Sequence, residues 1–123
     1  MKSKYILGAL LTASLFAPAF VIAENHSESI QDMEINHILN HLKASDCIFI
    51  RNGNRYSGEK AADHLAGKYD YARDKIKSAE SFIENIASES YFSGKPYQVE
   101  CPDKPTVKSQ DWLTSLLIDY RSR

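Results

Sequence analysis

His64 and Lys68 stand four residues apart, a spacing that places two side chains one turn apart on the same face of a helix. Upstream of them Arg51 immediately precedes an Asn52-Gly53 pair. Guanidinium, imidazole and ammonium groups together can hold a carboxylate or a phosphate, and a guanidinium does so through two parallel hydrogen bonds. Ser88, Ser90 and Ser93, with Gly94 and Tyr97, add hydroxyls and turn backbone in the run "SESYFSGKPY". Arg51, His64, Lys68, Ser88, Ser90, Ser93 and Tyr97 are therefore the candidate ligand-binding residues. A structural reading competes for each of them. Arg51 can turn back onto carbonyls, His64 and Lys68 can cover apolar surface, and the serines can satisfy a helix end.

Catalysis finds less support. A serine with His64 as base needs a third group to orient the imidazole, and Asp63, next in sequence, points elsewhere on a helix. Gly94-Lys95 lacks the upstream glycine and the following Ser or Thr of a phosphate-binding loop. His37 and His41 have a metal-type spacing, but helical phase puts both away from the apolar stripe and no third ligand accompanies them. No catalytic residue, metal site or cofactor is expected.

The elements that must position these groups begin after an export signal. Lys2 and Lys4, an apolar run from Tyr5 to Phe16, and Val21-Ile22-Ala23 before Glu24 read as a cleavable secretory signal over residues 1–23, with Ala17-Pro18-Ala19 a second candidate site. The run is shorter than the roughly 20 residues that span a bilayer, so no stable membrane insertion is expected after cleavage. Residues 24–123 suit one domain with one core, placed in the periplasm. They carry 13 basic and 16 acidic side chains, a formal charge of −3 with no basic stripe, which argues against nucleic acid as a partner. Cys47 and Cys101 are the only cysteines, and an oxidising compartment makes a disulfide between them the natural pairing.

Ile35, Ile38, Leu39 and Leu42 share one side of a helix expected over Ile30–Ala44, after a frayed "ENHSES". "CIFI" reads as a buried strand, Asn52-Gly53 as a hairpin turn, and Arg55-Tyr56 as its return. Ser57 caps a second helix through Ile76, Ser78 caps a third through Ala87, and Gly94 sits in the exit loop. "YQVEC" is a strand with Tyr97, Val99 and Cys101 on one face, "PDKPTVKS" is a loop, and Ser109 caps a last helix. The expected fold is α+β: a small antiparallel sheet, hairpin plus one C-terminal strand, packed against about four helices.

"FIRNG" (Phe49 to Gly53), His64-Leu65 with Lys68, Ile76 to Ile83, Ala87 to Ser90 and "SGKPY" (Ser93 to Tyr97) resemble, in order and spacing, the YfeK-like family. These are small exported proteins of Gram-negative bacteria, a domain of unknown function. The resemblance covers most of the chain after the signal and implies a periplasmic single-domain protein with no assigned activity. Tyr91 departs from the small hydroxyl residue of the family pattern.

The function expected from the residues is a non-enzymatic binding or interaction module, its partner an unidentified protein or a small anionic envelope component. One alternative is a small envelope hydrolase using a serine with His64. Another is a periplasmic inhibitor or immunity protein that presents Tyr91 and Phe92.

Overall fold

The computed structural model describes residue 8, residues 10–20 and residues 28–123. Lys2, Lys4 and the expected cleavage site at Val21-Ile22-Ala23 lie outside the described residues. Helix α1 (Ile30–Ala44) starts at Ser29, whose hydroxyl accepts from the Asp32 amide, so part of the stretch expected to fray is a helix cap. Its apolar stripe behaves as the periodicity requires: Ile35, Ile38 and Leu42 are fully buried.

Strands β1 (Ile48–Arg51) and β2 (Asn54–Ser57) form the hairpin, and α2 (Gly58–Ala72) leaves it through Ser57, whose hydroxyl accepts from the Lys60 amide. Helix α3 (Ala79–Asn85), strands β3 (Gln98–Glu100) and β4 (Val107–Lys108), and helix α4 (Ser109–Arg121) complete the chain. The antiparallel sheet runs β2-β1-β3-β4. Phe49 and Val99 face each other on the side that meets the core, and α1 packs against α2, α3 and α4. Phe82, Leu113 and Val99 are among the largest fully buried side chains of the single core cluster.

Phe49 pairs with Val99, so two residues earlier Cys47 falls opposite Cys101. The two are joined as a disulfide, with Cα atoms 4.2 Å apart, tying the strands at the end of the sheet away from the Asn52-Gly53 turn. At the other pole of the core, Arg121 of α4 donates to both oxygens of buried Glu34 on α1 and to Glu80 on α3. Arg121 also holds the Glu80 carboxyl below its ordinary range.

The expected α+β fold is present, with local corrections. The stretch expected to be a loop after Cys101 contains a fourth strand, β4, whose Val107 pairs with Val99; two residues are too short to show a strand period. Ser109 does not cap α4. It lies buried in the first turn, and its amide donates at 2.8 Å to the carbonyl of Tyr97, the residue before β3, so backbone rather than a side chain satisfies this helix end. Helix α2 stops at Ala72, and one 3₁₀ turn (Arg73–Lys75) follows it. Ile76 still reaches the core, but from extended backbone whose carbonyl accepts from Gln31. His37 is half-buried instead of facing water, stacked on Tyr120 with ring centroids 4.2 Å apart, while exposed His41 meets the edge of Trp112. No helix among the described residues is long and apolar enough to cross a membrane.

Candidate functional site

Arg51 ends β1 opposite Asn54, and the two residues between them have φ values of +50° (Asn52) and +77° (Gly53). Two consecutive positive φ angles match the right-handed twist of a tight hairpin, and Asn-Gly is the pair that adopts them most readily. Strand alternation puts Arg51 on the same face as Phe49, toward α2. There its Nη1 lies 2.8 Å from His64 Nε2, and the guanidinium sits 5.7 Å from the Tyr56 ring centroid.

The same Nη1 lies 3.4 Å from Nδ1, so the guanidinium rests against the ring and not along either lone pair, and a cation held there disfavours a second positive charge and so favours the neutral imidazole. Burial first, then the charges of Arg51 and Lys68, hold the His64 pKa below its ordinary value, which agrees with that protonation state. Among the described residues Arg51 has no ion-pair partner, and its Nε is buried without an acceptor.

The two groups stand at the mouth of a cleft of about 320 Å³. Its apolar walls come from Phe49 on β1, Leu65 on α2, Tyr56 on β2 and Tyr97 before β3. Lys60 and Asp63 lie on its α2 rim. Of these walls Tyr97 was among the candidates read from the sequence and Phe49, Leu65 and Tyr56 were not, although for Tyr56 the signal existed: in a two-residue hairpin it pairs with Phe49 and must share its face.

Lys68, Ser88, Ser90 and Ser93 do not line this cleft. Lys68 donates to the Ile86 carbonyl at 2.7 Å and to the Tyr97 hydroxyl at 3.3 Å, so its ammonium closes the end of α3. The Tyr97 ring is buried beneath it, 5.3 Å from Nζ. Ser88 donates to the Ile83 carbonyl in the same helix exit. Asn52 donates to Ser90 Oγ at 3.1 Å and accepts from Ser93 Oγ at 2.5 Å, so one amide pins the exit loop at two points.

That loop folds on itself through Ser90 N to Lys95 O and Gly94 N to Ser90 O, with Gly94 at φ +66°. Between the pinned serines Tyr91 and Phe92 stand 88% and 96% exposed. Among the described residues His64 bonds only to Arg51, and none of the three serines reaches it.

The double role of Asn52 gives a testable consequence. Asn52→Ala keeps a β-carbon at positive φ without the short polar side chain that makes asparagine tolerant of it, and removes two hydrogen bonds worth about 1 kcal/mol each. Asn52→Gly removes the same bonds but leaves no β-carbon in the left-handed conformation. Urea unfolding is expected to rank wild type above Asn52→Gly above Asn52→Ala, and both variants are expected to lose hydrogen-exchange protection at Ser90 and Gly94. Unchanged protection would show that the loop holds its shape without the clamp.

A sheet covered by helices on one side, tied at one end by a disulfide and opened at the other by an arginine-edged cleft, defines a small α+β protein of one core. The chain belongs to the family of unknown function DUF5329, whose model matches residues 29–121. It is 38% identical over 95 residues to the uncharacterized protein YfeK of Salmonella typhimurium, with 76% of each chain covered. No solved structure matches it.

Proposed function

We propose that this protein is a non-enzymatic binding module of the periplasm that takes a small anionic envelope component at the Arg51–His64 edge of the cleft. One observation carries the reading. A half-buried guanidinium without a carboxylate partner, its Nε lacking any acceptor, opens onto a cleft large enough for a ligand. An arginine placed to serve only the fold would be expected to find carbonyls or an acid, as Arg55 finds Glu100 and Arg121 finds Glu34. Calorimetric titration with acetate, inorganic phosphate and envelope-derived acids tests it. Saturable binding is expected for the wild type, weakened at least tenfold in Arg51→Ala, because charge-assisted hydrogen bonds contribute about 1.5–3 kcal/mol. Equal affinity in both proteins would remove Arg51 from the site.

A second reading, an inhibitor or immunity protein, has an observation of its own in Tyr91 and Phe92. Aromatic side chains held out on a pinned loop are the residue types that anchor protein interfaces. A periplasmic pull-down with wild type and with Tyr91→Ala/Phe92→Ala separates the two readings. This second reading expects a partner captured by the first and lost by the second; capture by both would set the loop aside.

A further inference from the structure

The chemistry of the cleft narrows what kind of anion it takes, on the assumption that the anion reading just given is right. Among the described residues the half-buried cation lining the cleft is Arg51, the exposed Lys60 shares its rim with the opposite charge of Asp63, and the lowered pKa of the adjoining His64 favours a neutral imidazole. Behind them the walls are Phe49, Leu65 and the rings of Tyr56 and Tyr97. One fixed charge favours a monoanion, and a planar guanidinium matches the two oxygens of a carboxylate. A hydrophilic anion alone would leave the apolar walls wet, whereas an apolar tail removes that surface from water. The 320 Å³ equal the liquid volume of roughly ten waters at about 30 Å³ each, so the tail is short.

We infer that the cleft binds a short apolar carboxylic acid, its head group on Arg51 and its tail between Phe49, Leu65 and the tyrosine rings, and that binding draws a proton onto His64. The second part follows from the charges. In the free protein the Arg51 guanidinium lies against the His64 ring, its Nη1 2.8 Å from Nε2 and 3.4 Å from Nδ1. A carboxylate bound to Arg51 offsets that positive charge and stands beside the ring as a negative one, and both changes favour imidazolium. The groups around the imidazole are Arg51 from β1, Tyr56 from β2, Tyr97 before β3, and Lys60, Asp63 and Lys68 from its own helix. Cations dominate this set. The arriving carboxylate is therefore the largest change of charge the ring experiences.

Octanoate, with about ten heavy atoms, is the probe that fits the volume, with acetate, octanol and octyl phosphate as comparisons. Binding would be followed through amide resonances at pH 7, and the His64 ring titrated with and without octanoate, its resonance identified by His64→Gln. Octanoate is expected to bind at least tenfold more tightly than acetate or octyl phosphate, and octanol is not expected to compete. The proton affinity of His64 should rise about tenfold in the complex, so by reciprocity octanoate binds more tightly at pH 6 than at pH 8. Arg51→Ala, which removes the charge, and Ala61→Phe, which fills the cleft, should each weaken octanoate at least tenfold; the melting temperature of each reports whether it folds. Ala61→Phe should leave acetate binding intact.

Acetate binding as tightly as octanoate, with dependence on Arg51, would overturn the apolar acid and leave the anion site standing. Tighter binding of octyl phosphate would replace the carboxylate with a phosphate head group. An octanoate complex in which His64 titrates as in the free protein would overturn the proton uptake. No binding by any of these anions would end both this inference and the reading it rests on.

Discussion

Replacing Gly58 with alanine is expected to destabilise the protein by about 3 kcal/mol or more, although Gly58→Ala adds a single methyl to a helix. A β-carbon at Gly58 would lie 2.2 Å from the Leu42 carbonyl oxygen and 2.9 Å from that of Ser45. Both are backbone atoms at the end of α1, so no rotamer change makes room. Leu42 is fully buried, and the chain from Ser45 runs directly into Cys47 and β1. To admit the methyl, α1 and α2 must part at the point where the hairpin enters the core. For a domain of this size the loss corresponds to a melting temperature lowered by on the order of 15 °C. Gly67 provides the control: it lies in the same helix with nothing within 4 Å of an added β-carbon. Gly67→Ala should therefore gain about 0.5–1 kcal/mol from helix propensity. If the two variants melt within a few degrees of each other, the close approach of the helices is not a constraint on stability.

Gly58 also marks where the sequence stops being informative. Periodicity identifies the buried face of a helix because a run of residues votes together, and the stripe of α1 was legible for that reason. A close approach between two backbones leaves no such run. Gly58 and Gly67 look alike along the chain, and only the packing of α1 on α2 distinguishes them. The same holds for Ser57, Ser78 and Ser109. The first two accept from amides three residues on, as local capping predicts, while Ser109 was claimed by the Tyr97 carbonyl, a tertiary partner. Signals within one element were legible; those that depend on which element lies alongside were not.

The candidate site divides along that line. Arg51 beside His64 could be anticipated, since a turn residue and a helix face on the same side of the sheet have few other places to go. Lys68 and Ser88 look equally suited to a ligand in the sequence, yet both are spent on carbonyls near the exit of α3. Asn52 was legible as a turn residue but not as the clamp of the exit loop, because its partners Ser90 and Ser93 lie far along the chain. Polar residues of one type carry the same label whether they serve a ligand or a helix end. What separates them is whether the fold has already supplied a partner, and Arg51 Nε is the atom it has left without one.

Opening the Cys47–Cys101 disulfide is expected to cost about 4 kcal/mol, since the bond closes a segment with a sequence separation of 54 and so restricts the unfolded chain. That segment holds the hairpin, α2, α3 and β3, while α1 and α4 lie outside it and pack across it. Without the bond, pairing of β1 with β3 must be reached through the whole intervening chain, and the loop-closure cost returns to folding. Two experiments separate the cross-link from the packing of its sulfurs. Adding a reductant leaves both thiols in place, whereas Cys47→Ala/Cys101→Ala also removes atoms at Cys47, which is only 6% exposed. Both should lower the urea midpoint, the double variant by more, and the slope should steepen because an uncrosslinked unfolded chain exposes more surface. Equal midpoints with and without reductant would show that the register of β1 and β3 holds without the bond. Against the 5–15 kcal/mol typical of a domain, about 4 kcal/mol is a large fraction, so the proposed periplasmic setting and the stability of the fold are linked. Expressed without export, where thiols stay reduced, the chain should accumulate less and be cleaved faster than the same chain in the periplasm.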